Sequence, residues 1–260
     1  MFRRLLSRAL ARDAPREIVP LRAPRPLFAV GDVHGMAEML DTMIETIRDR
    51  IEADGLRDAA VVFLGDYVDR GPDSRQAIDL LLESPARLGV DTIFIRGNHE
   101  EFAQRFLDRP YEESRWLEWG GDNTVESYGI DPRDFAAGVQ GQIALSKALA
   151  AEMGEAHTGF LRDGLVTHHD EWPFFFCHAG IDRQHPPQNQ PERALVHGIR
   201  GFREQGGWPD SIVVHGHYIT SEPDPGPRRI GVDTGAYRSG VLTAAFCIGE
   251  TIDFIEVEED

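Results

Sequence analysis

Three times between residues 27 and 95 a short apolar run gives way to a polar, glycine-bearing loop and then to helical spacing. Leu27-Phe28-Ala29-Val30 reads as a buried strand, followed by Gly31-Asp32-Val33-His34-Gly35 and an amphipathic helix over 37–53. Val61-Val62-Phe63-Leu64 is followed by Gly65-Asp66-Tyr67-Val68-Asp69-Arg70-Gly71 and a helix over 74–83. Thr92-Ile93-Phe94-Ile95 is followed by Arg96-Gly97-Asn98-His99-Glu100 and a helix over 99–108. Serial strand–loop–helix units predict an α/β fold with parallel strands, whose polar loops gather at the strands' carboxyl ends.

The rhythm stops at 109–172, where Trp116, Trp119, Gly120-Gly121 and a helical stretch over 139–153 predict an inserted helical cap within the same domain. The two tryptophans are expected to pack inside it. Strand-like runs return at 174–177, 212–214 and 229–232, and a hairpin is expected over 241–257 around Gly249-Glu250. The late strands are expected to be antiparallel, giving mixed sheets. The domain reading is a basic arm over 1–25 and one domain over 26–260. In the arm, Arg3, Arg4, Arg8, Arg12 and Arg16 interleave with apolar residues, but the leader lacks the features of a secretory signal.

Composition narrows the partners. The chain carries a formal charge of −17, and Lys147 is its sole lysine. Such a surface repels a nucleic-acid backbone, so none is expected as partner. No apolar run reaches the roughly 18 residues of a membrane span. Two cysteines, Cys177 and Cys247, are too few for a disulfide framework, which fits a cytoplasmic setting.

The chemistry lies in Asp32, His34, Asp66, Asp69, Asn98, His99, His178, His215 and His217. Singly, each suits a helix cap, a turn or a hydrogen-bonded core histidine. Together they bring carboxylates, a carboxamide and imidazoles to one rim, where burial is costly without a cation. Asp32 and His34, two apart, would point the same way from extended chain. Oxygen and imidazole donors without thiolate favour manganese, iron or zinc, and so many donors exceed one tetrahedral ion. His157, His168, His169 and His185 read as surface or loop residues, and Arg75 and Arg203 as solvated ones.

The loops named above, with His178-Ala179-Gly180, His215-Gly216-His217 and Gly231-Val232-Asp233-Thr234-Gly235, resemble the signature of the phosphoprotein phosphatase family of calcineurin-like metallophosphoesterases. The nearest pattern is the bacterial and bacteriophage-type serine/threonine protein phosphatase branch. The resemblance implies an α/β/β/α sandwich of two mixed sheets flanked by helices. It implies two divalent transition-metal ions, manganese first and iron or zinc as alternatives. Asp32 and His34 would bind one ion, Asp66 would bridge, and Asn98, His178 and His217 would complete the other. His99 paired with Asp69 would protonate the leaving group, while Arg70, Arg96 and Arg200 would clamp phosphate. The implied reaction is direct hydrolysis of a phosphomonoester by activated water, on a phosphorylated protein. The alternative is a dinucleoside polyphosphate or another small phosphoester; a catalytically inactive phosphate-binding scaffold ranks last. Diadenosine tetraphosphatases of this kind usually carry alanine at the place of Asp69 and aspartate at that of Glu100, which tips the expectation away from them.

Overall fold

The computed structural model describes residues 21–259. The expected basic arm therefore lies outside the described residues as far as residue 20. From Leu21 onward the chain is already docked: the Ala23 N–H donates to the Gly249 carbonyl, and Arg25 pairs with Glu171 at 2.9 Å.

The three opening units form as their patterns predict: β1 (Leu27–Val30), α1 (Ala37–Asp54), β2 (Ala60–Phe63), α2 (Ser74–Leu88), β3 (Asp91–Phe94) and α3 (Asn98–Asp108). The cap region holds a 3₁₀ turn over Ser114–Trp119, then α4 (Gly121–Ser127) and α5 (Val139–Asp163). The predicted helix over 139–153 ends where Gly154 takes φ 64°, a conformation open to glycine, and beyond that kink the helix resumes. Then come β4 (His168–Glu171), β5 (Phe174–Cys177), α6 (Glu192–His197), α7 (Phe202–Gln205), β6 (Ile212–His215), β7 (Asp224–Gly226), β8 (Arg229–Gly231), α8 (Ala236–Ser239), β9 (Val241–Ile248) and β10 (Thr251–Glu258).

These strands make two five-stranded mixed sheets, ordered β10-β9-β1-β2-β3 and β4-β5-β6-β8-β7. Period-2 alternation explains the layering. Leu27, Ala29, Ala60 and Val62 face Phe174, Phe176, Val214 and Ile230 between the sheets, whereas Phe28, Val30, Val61 and Phe63 face α1 and its neighbours. On the outer face of the second sheet, Phe175, Cys177 and Val213 pack with Leu195, Val196 and Phe202. The runs of β1 and β2 are apolar throughout because both their faces are covered, whereas edge strand β3 is partly exposed. Each such large side chain contributes about 1.5–3 kcal/mol on burial. The result is an α/β/β/α sandwich.

Several expectations are corrected. The late strands are not simply antiparallel: β5, β6 and β8 run parallel, and only β4, β7 and the β9–β10 hairpin pair in the opposite sense. The connections β5–β6 and β6–β8 are long enough to cross over, through α6 and α7 in the first case. His168 and His169 lie in edge strand β4, half-buried, rather than in a loop. His157 is buried too. Its Nδ1 lies 2.7 Å from the Tyr128 hydroxyl and its Nε2 2.9 Å from Asp79, tying α5 to α2 and the end of α4. Arg75 is exposed as expected, with its guanidinium over the Tyr128 ring, whereas Arg203 is half-buried and bonds Asp224. Both cysteines are buried and free, their thiols pushed up to about 12 by desolvation. Among the described residues no helix is long and apolar enough to cross a membrane.

Candidate metal centre

The carboxyl ends of β1, β2 and β3 meet those of β5, β6 and β8 at one rim, and the backbone there is unusual. Six described non-glycine residues take positive φ: His34 (45°), Asp66 (51°), Asp69 (73°), Arg70 (70°), His217 (65°) and Arg228 (56°). All but Arg228 are residues singled out from sequence. Such conformations carry strain of order 1–3 kcal/mol each and collect at functional sites. His34 at φ 45° also corrects the reason given for pairing it with Asp32: the chain there turns, so strand alternation does not orient them.

Asp66 is the hub. Its Oδ2 lies 3.5 Å from His34 Nε2 and 4.0 Å from His99 Nε2, while Oδ1 lies 3.4 Å from His178 Nε2. The atoms of His34, Asp66 and His99 form one cluster with metal-binding spacing, and Asp66, His178 and His217 form a second. Asn98 joins the latter, its Oδ1 being 3.1 Å from His178 Nε2, which also lies 3.2 Å from His217 Nδ1. Asp32 is in neither three-residue cluster; its carboxylate accepts the His217 N–H at 3.0 Å.

Tautomers follow from the backbone. His34 Nδ1 meets the Val68 carbonyl and His178 Nδ1 the Leu64 carbonyl, both at 2.9 Å. Each Nδ1 must therefore donate, leaving Nε2 turned to Asp66, the arrangement that orients metal-binding histidines. Around His178 Nε2 stand Asn98 Oδ1, Asp66 Oδ1 and His217 Nδ1, all able to present lone pairs to a shared centre.

The electrostatics carry the same message. Burial and the charges of Asp233 and Asp66 push the Asp32 carboxyl well above the carboxylate range. Burial opposes ionisation of Asp66, but His178 and His99 outweigh it and hold its carboxyl well below. Burial keeps His34 and His217 neutral, down to about 3. At His178 burial is overcome by Asp66, which holds the imidazole above its ordinary value. The Asp233 Oδ2 is buried with no hydrogen-bond partner. Converging lone pairs, crowded carboxylates and an orphaned oxygen make a site that fits divalent cations held by oxygen and imidazole.

Residues 25–221 match the calcineurin-like phosphoesterase family. The chain belongs to that family. The phosphoesterase is 26% identical over 231 residues to the asymmetrical bis(5'-nucleosyl)-tetraphosphatase PrpE of Geobacillus thermodenitrificans, covering 83% of this chain and 87% of that one. It is 37% identical over 100 residues to serine/threonine-protein phosphatase 1 of Salmonella typhimurium, which is 38% of this chain and 40% of the relative. Among solved structures, "a putative diadenosine tetraphosphatase" superposes with TM-score 0.60 at 20% identity, over 91% of this chain and 94% of the other. The phosphoesterase is thus a hydrolase of phosphoric esters from a family that works with divalent metal ions.

Beside the hub stands the expected acid pair. His99 Nδ1 lies 2.6 Å from Asp69 Oδ2, and both residues are buried. Burial pulls the His99 imidazolium down, but Asp66 and the Asp69 hydrogen bond hold it above its ordinary value. Arg70 reaches His99 Nε2 at 3.0 Å and the Tyr237 hydroxyl at 3.1 Å, and the Tyr237 ring meets His34 edge-on. Arg96 lies across a cavity of about 630 Å³ bordered by Phe102, Arg105, Glu192, Arg193 and His197, with Nη1 3.3 Å from Glu192 and Nε buried without a partner.

Arg200 is not brought in. It is exposed, in the turn between α6 and α7, and no described hydrogen bond or ion pair ties it to the cluster. His197 reaches inward instead, bonding Glu101 at 3.0 Å. His215 is buried behind the rim, its Nδ1 on the Gly216 carbonyl and burial lowering it to about 4. Tyr218, next after His217, packs its ring edge-on against the His217 imidazole, centroids 4.8 Å apart.

Sequence reasoning passed over three contributors. Glu100 accepts the N–H groups of Asp66, Gly97, Tyr67 and Val68, at 2.8, 2.9, 2.7 and 3.3 Å. Burial and Asp66 raise its carboxyl to about 7. We assign it as ionised nonetheless, because both oxygens face N–H donors and an acid proton would find no acceptor. Its signal was present: a glutamate at the third position after the cap of α3 is one half of a capping box. Asp233, beside Asp32, stood inside the Gly-Val-Asp-Thr-Gly motif without being given a role, and Trp116 and Thr124 on Asp69 gave no such local sign.

Proposed function

We propose that the phosphoesterase is a dinuclear-metal phosphomonoesterase acting on phosphorylated serine or threonine in proteins. The observation that carries this reading is the His99–Asp69 pair. Protonation of the leaving oxygen matters most when that oxygen is a poor leaving group, and a serine or threonine alkoxide is far poorer than a nucleotide phosphate.

In this reading Asp32 and His34 would hold one ion, Asn98, His178 and His217 the other, with Asp66 between them. Such a pair supplies activated water near neutral pH and neutralises charge on the phosphoryl oxygens. The chain's own groups do the rest. Arg70 and Arg96 bind phosphate oxygens through their guanidinium forks. Phosphate would draw the Arg70 fork from His99 Nε2, whose lone pair now accepts from it, leaving that nitrogen free to take a proton from solvent and pass it to the departing oxygen. Asp69 holds the Nδ1 proton and fixes the ring. The cavity beside Arg96 offers room for the peptide flanking the phosphorylated residue.

A second reading is favoured by the near end-to-end similarity to a bis(5'-nucleosyl)-tetraphosphatase. There the leaving group departs as a phosphate anion and needs little help from His99. A matched panel separates the two: a phosphoserine peptide, diadenosine tetraphosphate and p-nitrophenyl phosphate, with wild type and His99→Asn, in manganese. The expected result is peptide turnover reduced about 10²–10⁴-fold in the variant. Dinucleotide turnover exceeding that of the peptide in wild type, and indifferent to His99→Asn, would establish the second reading.

A further inference from the structure

We propose that Trp116 and Thr124 are positioning residues for the leaving-group acid, so that the segment between α3 and α5 sets the competence of His99. This rests on the acid reading of the His99–Asp69 pair.

The Asp69 carboxylate is fully buried and spends both oxygens on named donors. Oδ2 accepts from His99 Nδ1 at 2.6 Å and from Trp116 Nε1 at 2.7 Å; Oδ1 accepts from the Thr124 hydroxyl at 2.6 Å. Of these three donors only His99 belongs to the rim. The other two come from the 3₁₀ turn Ser114–Trp119 and from α4, between α3 and α5.

The same segment grips the backbone of Asp69. Its N–H lies 2.9 Å from Thr124 Oγ1 and 3.0 Å from Ser74 Oγ, and the two hydroxyls are 3.0 Å apart. Next along, the Arg70 N–H donates to the Gly120 carbonyl at 3.1 Å, and Asn123 Nδ2 donates to the Arg70 carbonyl. Asp69 and Arg70 both have φ near +70°, a conformation non-glycine residues hold only when neighbours impose it. The Gly120-Gly121 pair makes the approach possible. Gly120 has φ 104°, and a Cβ on Gly121 would run into the Trp116 indole.

The chemical consequence is orientational. A carboxylate bound only by His99 could rotate about its Cβ–Cγ bond and swing Oδ2 from the imidazole. With Trp116 and Thr124 on separate oxygens its plane is fixed. The Nδ1 proton then has one acceptor, and Nε2 is held toward the place where the leaving oxygen emerges. The indole N–H, which needs a partner when buried, finds it here and nowhere else among the described hydrogen bonds.

The test uses full-length protein in manganese with Trp116→Phe, which keeps the ring but loses the donor, Thr124→Val, which keeps the shape but loses the hydroxyl, and Thr124→Ser, which restores it. kcat/KM is measured on aryl and alkyl phosphates of graded leaving-group basicity. Trp116→Phe and Thr124→Val are expected to lose about 10–100-fold on the most basic leaving groups. On p-nitrophenyl phosphate the expected loss is smaller than about threefold, because that leaving group needs little protonation. Thr124→Ser is expected to recover the wild-type slope. Independently of metal, the His99 Nδ1–H proton resonance, identified by its loss in His99→Asn, should broaden in Thr124→Val and sharpen again in Thr124→Ser. Should Trp116→Phe not fold, the valine–serine pair at 124 decides alone. An equal loss across all leaving groups, or no loss, overturns the proposal. If His99→Asn steepens the slope while these variants do not, the positioning role fails alone. If His99→Asn leaves the slope flat, the acid reading itself fails.

Discussion

Asp66→Asn is expected to reduce metal-dependent phosphoester hydrolysis by roughly a thousandfold or more, measured as kcat/KM on p-nitrophenyl phosphate at saturating manganese. The size follows from position. Asp66 turns one oxygen to His34 and the other to His178, so it faces both clusters at once. A metal pair contributes several kcal/mol of charge stabilisation in such reactions, and each 1.36 kcal/mol is about tenfold in rate. Asparagine preserves the shape and can still accept the His99 N–H that Oδ1 now takes at 3.1 Å. The fold should therefore survive while the charge between the clusters is gone. Activity within tenfold of wild type would mean that Asp66 does not join two ions.

Glu100→Gln is expected to destabilise the chain by roughly 2–6 kcal/mol without touching any proposed ligand. Each Glu100 oxygen receives two backbone N–H groups from the Asp66 loop and the start of α3. Glutamine must set an NH₂ against one of those pairs. Two buried donors then go unsatisfied, at about 1–3 kcal/mol each. Against a typical stability of about 5–15 kcal/mol this is a large fraction. In a chain of this size it should lower the melting temperature by roughly 4–24 °C, at about 2–4 °C per kcal/mol. Thermal denaturation in chelator checks it away from any metal contribution, and a shift of under about 2 °C would show that the glutamate does not organise the loop. Activity should fall as well, since these N–H groups belong to the turn that presents Asp66.

What the sequence disclosed divides along physical lines. The first two opening strands were legible because runs such as Val61-Val62-Phe63 are covered on both faces and leave no polar alternative, and partly exposed β3 was legible from its place in the same strand–loop–helix series. β4 was not legible: His-His-Asp-Glu on a half-exposed edge has neither an apolar run nor clean alternation. The direction of β5, β6 and β8 was missed because no short motif encodes which way a crossover returns. At the site, residues inside Gly-Asp-x-His-Gly and Gly-Asn-His-Glu are local to the loops that carry them, and they arrive together. Trp116 and Thr124 act on Asp69 from 47 and 55 positions away, a relation only the fold creates. Arg200 was named only because the family resemblance implies an arginine between the last two histidine ligands, and the turn after α6 leaves it exposed. Asp32 and His34 both lie at the rim, but the strand argument offered for them gives way to the turn at His34.

The central claim, two ions on either side of Asp66, is tested most directly by anomalous scattering from crystals of the full chain grown with manganese. The account predicts two peaks, roughly 3.5–4 Å apart as in other two-metal sites. One should lie beside Asp32 and His34 and the other beside Asn98, His178 and His217, with Asp66 touching both. A single peak, or a second ion held by His99 in place of the Asp32 side, would contradict it.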